Sequence, residues 1–309
     1  MRARHVLSLV DIDGDRVRRL VEAAVVFGRG GEVEKTLAGK IVGSFFRKTS
    51  TRTRTSFATG AMRLGASVLT FGPDDLQLST GETLEDTGRV LANYLDALVI
   101  RTNDAVSEMR AIAAQNTMPV INAMSKEEHP TQALADLATI HEAFGQLEDV
   151  HVLYIGEGNN TAAALALALP RFPKTRLSIV TPPNYGLPAA VLQQAARYAE
   201  QSGAFLEHHH DLGKLPRHVD VVYTTRWLTM GVVHSDPNWM SAFRPYTVNQ
   251  ALMDRVSKPR GTIFLHDLPA MRGYEVENDV LDGPQSVAFR QAFHKMTAAM
   301  AVLDWSVNG

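Results

Sequence analysis

A dense run of hydroxyls and guanidiniums stands where a hydrophobic segment ends: Phe45-Phe46-Arg47-Lys48-Thr49-Ser50-Thr51-Arg52-Thr53-Arg54-Thr55-Ser56-Phe57. Beyond it, Phe57, Ala61 and Leu64 recur at helical spacing, so Ser50 to Thr53 lie at or near a helix N-terminus. Free backbone N–H groups and the positive end of the helix dipole favour an anion there. Phosphate suits the side chains as well. Arg52 offers a two-pronged donor, and Ser50, Thr51 and Thr53 add hydroxyls. The competing reading is a solvated basic turn with an ordinary Ser or Thr cap.

A second constellation is His129-Pro130-Thr131-Gln132. Pro130 suits the first helical position, which puts His129 and Gln132 on one side of a helix start, able to converge on one ligand. The alternative is a packed or capping histidine. Arg101 closes the strand-like run Ala97 to Arg101 and reads either as a ligand at a strand end or as a surface charge. Gly156-x-Gly158 after the strand-like Val150 to Ile155 raises a nucleotide-dependent dehydrogenase. The third fingerprint position is Thr161, however, and the next strand ends in Val180-Thr181-Pro182-Pro183 with no acid for a ribose. His208-His209-His210-Asp211 raises a metal, but consecutive residues of an extended segment point to opposite faces.

The elements that must position these groups alternate between strand-like and helix-period segments. Helices are expected near Asp13–Phe27, Thr53–Leu64, Leu84–Tyr94 and Pro130–Phe144, and strands at Lys40–Phe46, Ala66–Phe71, Ala97–Arg101 and Pro119–Asn122. The pattern restarts after Gly145 to Asp149 with strands Val150–Ile155, Arg176–Val180, Val219–Thr224 and Thr262–His266, a helix between the first two strands and another at Ala189–Ser202. A last helix is expected over Val287–Trp305. This is α/β grammar in two doubly wound parallel-sheet domains, 1–145 and 146–286, with a C-terminal helix at about 287–309 packing back on the first.

Charge and composition remove other classes. With 31 Lys plus Arg against 33 Asp plus Glu the net charge is −2, so no global field recruits nucleic acid or anionic lipid. The absence of cysteine removes disulfides, thiolate metal sites and cysteine nucleophiles, and fits a reducing compartment. The N-terminal apolar run, Val6 to Val10, is too short for a secretory core. The longest nearly uncharged run, Thr161 to Pro170, falls well below the ~20 residues a bilayer span needs. A soluble, cytoplasmic protein is expected.

The string S-T-R-T-R after F-F resembles the carbamoyl-phosphate signature of the aspartate and ornithine transcarbamoylases. His129-Pro130-Thr131-Gln132 looks like the second signature of that family, with Asn122-Ala123 upstream and Ala135-Asp136-Leu137 and Thr139-Ile140 downstream. Arg101 matches a third carbonyl-side ligand. The similarity runs from His5-Val6-Leu7-Ser8-Leu9 to the C-terminal helix and leans toward the ornithine type. Gln77-Leu78 ahead of Gly81 to Thr87 is similar to the loop whose Gln enters the neighbouring subunit's site, where the aspartate type has a Lys in place of Thr80. The resemblance implies an unknotted transcarbamoylase fold, a homotrimer with shared active sites, and no cofactor or metal.

It also implies roles. Carbamoyl phosphate is expected on Ser50, Thr51, Arg52, Thr53, Gln77, Arg101, His129, Gln132 and Lys295, with Thr53, Arg101, His129 and Gln132 the catalytic set. The acceptor amine is expected on Asn160, Thr225, Arg226, Thr229, Met230, Asp267 and Leu268, through strings similar to G-D-G-N-N, W-x-S-M-G and H-C-L-P-A. Departures gather there. Thr225 stands where the ornithine type has an Asp, Asp267 replaces its Cys, Thr225-Arg226 resembles the aspartate-type loop, and Ala292-Phe293-His294-Lys295 stands for A-E-N-R. These changes lead to the expectation that the acceptor is an amino acid or diamine with charges arranged differently from ornithine's. Two bland alternatives remain open: Asp267 capping a turn, and Arg226 pairing with Asp220. The alternative to catalysis is a carbamoyl-phosphate-binding relative without activity.

Overall fold

A computed structural model of the chain describes residues 3–228 and 236–309. The chain divides into two compact units, Met1–Ala138 with Phe293–Gly309, and Thr139–Ala292.

The first unit runs α1 (Gly14–Gly28), β1 (Ile41–Phe46), α2 (Thr51–Arg63), β2 (Ser67–Phe71), α3 (Leu84–Leu91), β3 (Ala97–Arg101), α4 (Val106–Ala113) and β4 (Val120–Met124), and enters α5 (Pro130–Phe144). Its sheet is parallel, in the order β2-β1-β3-β4. β3 and β4 are buried along their whole length, which is why both read as continuous apolar runs rather than alternating ones. Phe45, Leu98, Ile100, Met109 and Val120 form the core beneath them. The strand order changes direction between β1 and β3, and ligands of open α/β sheets bind beyond the carboxyl ends of strands at such a point. Arg47 to Thr53, Arg101 and the segment leading to His129 all follow those ends.

The second unit contains β5 (His151–Ile155), α6 (Asn160–Ala168), β6 (Arg176–Val180), α7 (Ala189–Ser202), β7 (Phe205–His209), β8 (Val221–Thr224), α8 (Trp239–Phe243), α9 (Gln250–Val256), β9 (Ile263–His266) and α10 (Asn278–Leu281). Its parallel sheet has the order β7-β6-β5-β8-β9, so the switch point lies between β5 and β8. Ile155, Val180, Val222, Val248 and Phe264 contribute to its core. α11 (Ala288–Asn308) ends the chain, and its last three-quarters belong to the first unit. There Arg16 lies over the Trp305 ring at 5.0 Å and Asn308 donates to the Thr36 carbonyl at 3.0 Å.

Two parallel sheets with flanking helices match the expected fold class. The sequence reading omitted α4, β7 and the short helices α8, α9 and α10, and for the first two the physical reason is plain. Ala105 stands at the N-cap of α4 and makes no side-chain cap, so the usual start signal is missing. β7 is an edge strand of sequence FLEHH whose residues are exposed or half-buried, so its apolar pattern is weak.

Candidate active site

Ser50 occupies the N-cap position of α2 with extended backbone (φ −159°, ψ 109°), yet its hydroxyl makes no capping bond. The ordinary-cap reading therefore does not describe it. Thr51 is exposed, Arg52 half-buried and Thr53 buried. The neighbouring guanidiniums have other work. Arg47 pairs with Asp104 at 2.8 Å and Glu108 at 2.7 Å, and Arg54 lies over the Phe46 ring at 5.1 Å. Hydrogen bonds from Thr102 and Arg47 hold the Asp104 carboxyl below its usual range, so Arg47 is tied into a structural cluster.

Arg101 reaches Thr53 from the end of β3, its Nη1 donating to Thr53 Oγ1 at 2.7 Å. The backbone arranges this. Phe46 faces Arg101 in the β1–β3 ladder, and on the other side the register slips, with Ile100 opposite Asn122 but Arg101 opposite Met124. Such an irregularity re-aims the side chain at a strand end. Because the Thr53 oxygen accepts from the guanidinium, its hydroxyl proton stays available for another acceptor.

His129 directly precedes α5 and is 4% exposed, and its Nδ1 has no hydrogen-bond partner among the described residues. Burial first, then the Lys295 and Arg101 charges, hold its pKa well below the usual imidazole range, so the ring is neutral near pH 7. The turn that presents it is braced. Ser125 N–H donates to the Glu128 carbonyl at 2.9 Å, while the buried Glu128 carboxylate accepts from Leu9 N–H at 2.8 Å and from the Ser8 hydroxyl. Gln132, fully buried, donates from Nε2 to Asp136 Oδ1 at 2.7 Å and accepts at Oε1 from Lys295 Nζ. Thus Thr53 meets Arg101, Gln132 meets Lys295, and His129 lies within the field of both cations. Gln77 sits in an exposed 3-10 turn, where Thr80 Oγ1 donates to its backbone oxygen at 2.7 Å and to its Oε1 at 2.9 Å.

In the second unit, the loop after β5 ends in Asn159, which caps α6 through Thr161 and Ala162 N–H groups. Asn159 Nδ2 also donates to Thr225 Oγ1 at 2.8 Å. Tyr154 donates its hydroxyl to the Glu157 carbonyl at 2.6 Å, so in its 3.0 Å contact with Thr225 the threonine is the donor. Thr225, 1% exposed, therefore has its proton and one lone pair committed to holding the loop. The first expected acceptor residue, Asn160, is buried at the start of α6.

Asp267 follows β9 with its side chain 16% exposed, and Oδ2 accepts from Thr161 Oγ1 at 3.0 Å. Its neighbour His266 accepts at Nδ1 from Leu268 N–H at 2.8 Å and so carries its proton on Nε2, donated to Glu275 Oε1 at 3.1 Å. The 3.7 Å approach of His266 Nδ1 to Asp267 is accordingly not an ion pair. Leu268 has φ 55°. Arg226 is half-buried, and its buried Nε has no partner among the described residues. It does not pair with Asp220, which accepts instead from Lys258 Nζ and from His151 N–H at 2.9 Å. Asp220 and Arg226 stand beyond opposite ends of β8, so the bland reading of Arg226 fails. Thr229 and Met230 lie outside the described residues.

The glycines after β5 answer the dehydrogenase reading. A Cβ at Gly158 would stand 2.5 Å from the Gly186 carbonyl carbon and 2.6 Å from Leu187 N. Its lack of a side chain serves close packing of two loops. His208 and His210, two apart and so on one face of the extended segment, both approach Thr181 Oγ1, at 3.1 and 3.2 Å. Sequence reasoning missed Asp136, Glu128, Tyr154, Asn159 and Thr161 as members of these networks. Asp136 was readable, lying four residues beyond Gln132 on one helix, and Asn159 as a helix cap was too. The others depend on distant partners.

Comparisons with known proteins identify the family. Residues 4–142 match the domain family described as aspartate/ornithine carbamoyltransferase, carbamoyl-P binding domain, and residues 148–306 match its Asp/Orn binding domain. The ornithine carbamoyltransferase of Methanothermobacter thermautotrophicus is 37% identical over 302 residues, covering 98% of both chains. That of Caldicellulosiruptor saccharolyticus is 39% identical, covering 97% of each. The solved ornithine carbamoyltransferase from Pyrococcus furiosus superposes with a TM-score of 0.90 at 38% identity, covering 98% of this chain and 96% of that one. Two family domains in tandem and relatives alike from end to end leave one conclusion: the chain belongs to the aspartate/ornithine carbamoyltransferase family and is a carbamoyltransferase.

Proposed function

We propose that the first unit holds carbamoyl phosphate on Ser50, Thr51, Arg52 and Thr53, with Arg101, His129 and Gln132 at its carbonyl end, and that the acceptor is ornithine. The observation that carries the donor half is the buried, neutral His129 with an unpartnered Nδ1 in the field of Arg101 and Lys295. A neutral donor beside two cations suits a carbonyl oxygen that gains negative charge. Attack by an uncharged amine forms the C–N bond and a tetrahedral oxyanion. Donors aimed at that oxyanion stabilise it more than the ground-state carbonyl, which is the differential binding that lowers the barrier. The bond to the phosphate oxygen then breaks, and the departing phosphate takes the amine proton. The products are the carbamoylated amine and phosphate.

For the acceptor, the names of the relatives supply ornithine. The expectation against it rested on several departures, foremost Thr225 for an Asp as the partner of an ammonium group, and left Asp267 as a carboxylate that could compensate. With Thr225 engaged by Asn159 and Tyr154, that role passes to Asp267, a carboxylate anchored through one oxygen with the other left for a ligand. A charge-assisted bond of this kind contributes about 1.5–3 kcal/mol, enough to replace what a hydroxyl lacks. Gln77, on an exposed turn, completes the site of an adjacent subunit in a homotrimer. The exposed apolar side chains Met62, Leu69, Val90 and Tyr94 of the first unit suit such an assembly. No helix among the described residues is long and apolar enough to cross a membrane, and a cytoplasmic enzyme fits the cysteine-free composition.

The test is isotopic carbamoyl transfer against ornithine, lysine, putrescine, shorter diamino acids and aspartate. Ornithine is expected to give the highest kcat/KM, at ~10⁴ M⁻¹s⁻¹ or above. A higher value with another amine overturns the acceptor assignment. Failure with every amine, despite tight binding of carbamoyl phosphate, favours the binding relative without activity.

A further inference from the structure

Gln132 and Asp136 are both 0% exposed and lie one turn apart on α5, while Lys295, 7% exposed, approaches from α11 within the same unit. Gln132 Nε2 is committed to Asp136 Oδ1 at 2.7 Å, and Oε1 accepts from Lys295 Nζ. A glutamine amide has two nearly isosteric orientations that present opposite hydrogen-bonding characters. Here a carboxylate at one end and an ammonium at the other permit only one. The carboxylate sits at the more deeply buried end, so the oxygen is the atom turned toward the accessible side of the network.

We propose that Asp136 is a positioning residue: it locks the Gln132 amide with its oxygen facing the donor substrate, and so makes the site prefer a transferable group ending in NH₂ to one ending in CH₃. The inference rests on the proposed placement of carbamoyl phosphate beside Gln132. An oxygen acceptor rewards the carbamoyl NH₂, which donates, and leaves itself unsatisfied against a methyl group of the same size. A flipped amide would meet that NH₂ donor to donor. Phosphate recognition lies at Ser50 to Thr53 and is independent of this orientation.

The test compares carbamoyl phosphate, acetyl phosphate and inorganic phosphate as ligands of the full-length wild-type, Asp136→Ala and Asp136→Asn proteins. Wild type is expected to favour carbamoyl over acetyl phosphate by ~10-fold or more, the worth of one well-placed hydrogen bond to a buried group. In Asp136→Ala, where only Lys295 still favours this orientation, the ratio falls several-fold while inorganic phosphate binds as before. Asp136→Asn, which keeps an acceptor oxygen, restores most of the ratio. A folded Asp136→Ala protein with the wild-type ratio, or one that loses all three ligands equally, overturns the proposal. Glutamine-selective ¹⁵N NMR of the wild type gives a reading that needs no variant. Strong protection of the Gln132 Nε2 protons from solvent exchange is expected, and exchange as fast as that of the exposed glutamines overturns the lock. A wild-type protein that binds inorganic phosphate but does not turn over carbamoyl phosphate sinks the functional reading instead.

Discussion

Arg101 and Thr53, 48 positions apart, meet through a 2.7 Å hydrogen bond that ties the end of β3 to the first turn of α2. The guanidinium aligns the hydroxyl, so in the proposed reaction the two should act as one donor unit. Arg101→Met and Thr53→Val should each lower kcat/KM, the former by on the order of 10²- to 10³-fold, as for loss of an oxyanion donor. The double variant should lose less than the product of the single losses, because the residues share one interaction. Steady-state kinetics of the four proteins decide this, and strictly multiplicative losses would show that the pair is not coupled.

Arg52→Ala should weaken carbamoyl phosphate at least ~10-fold, since a forked charge-assisted bond to phosphate exceeds a neutral one. Calorimetry on the folded variant checks this directly. Unchanged affinity would remove Arg52 from the anion site.

The pH dependence of stability follows from His129. Its folded pKa lies below its unfolded value, so the unfolded chain takes up a proton that the folded protein resists. The stability it contributes is fully present above about 6.5, the unfolded value, and is lost as pH falls toward the folded pKa. Between about pH 7.5 and 5.5 the wild type should therefore lose more stability than His129→Gln in urea denaturation. His151 and His208 are depressed too, chiefly by burial, but they are common to both proteins. Parallel losses would show that His129 does not titrate differently in the two states.

Asp267→Asn should raise the KM for the acceptor by ~10-fold, the lower range for loss of a charged partner, without changing affinity for carbamoyl phosphate. Thr225→Val should act differently. It strips partners from Asn159 and Tyr154 and should cost about 1–3 kcal/mol of stability. Denaturant melts and acceptor kinetics separate the two effects.

The proposed homotrimer with shared sites predicts complementation. Arg52→Ala and Gln77→Ala proteins, each inactive alone, should recover activity when mixed and allowed to exchange subunits, because some hybrid trimers regain an intact site. Verified exchange with no recovery would show that Gln77 does not serve a neighbour.

The α/β grammar, most strand positions and the helix start that carries the proposed anion-binding string were legible in the linear sequence, because each depends on local periodicity or on residue types a few positions apart. Ser50 to Thr53 at a helix start and His129 with Gln132 around Pro130 are of that kind. Tertiary structure alone decided which atoms those residues spend on one another. Arg101 is aimed by a slip between β3 and β4, Lys295 reaches Gln132 from 163 positions away, and Thr225 is consumed by Asn159 and Tyr154. None of these follows from spacing, since a hydrogen bond depends on where separate strands and helices bring two atoms in space, whereas a sequence pattern reports only the periodicity within each element.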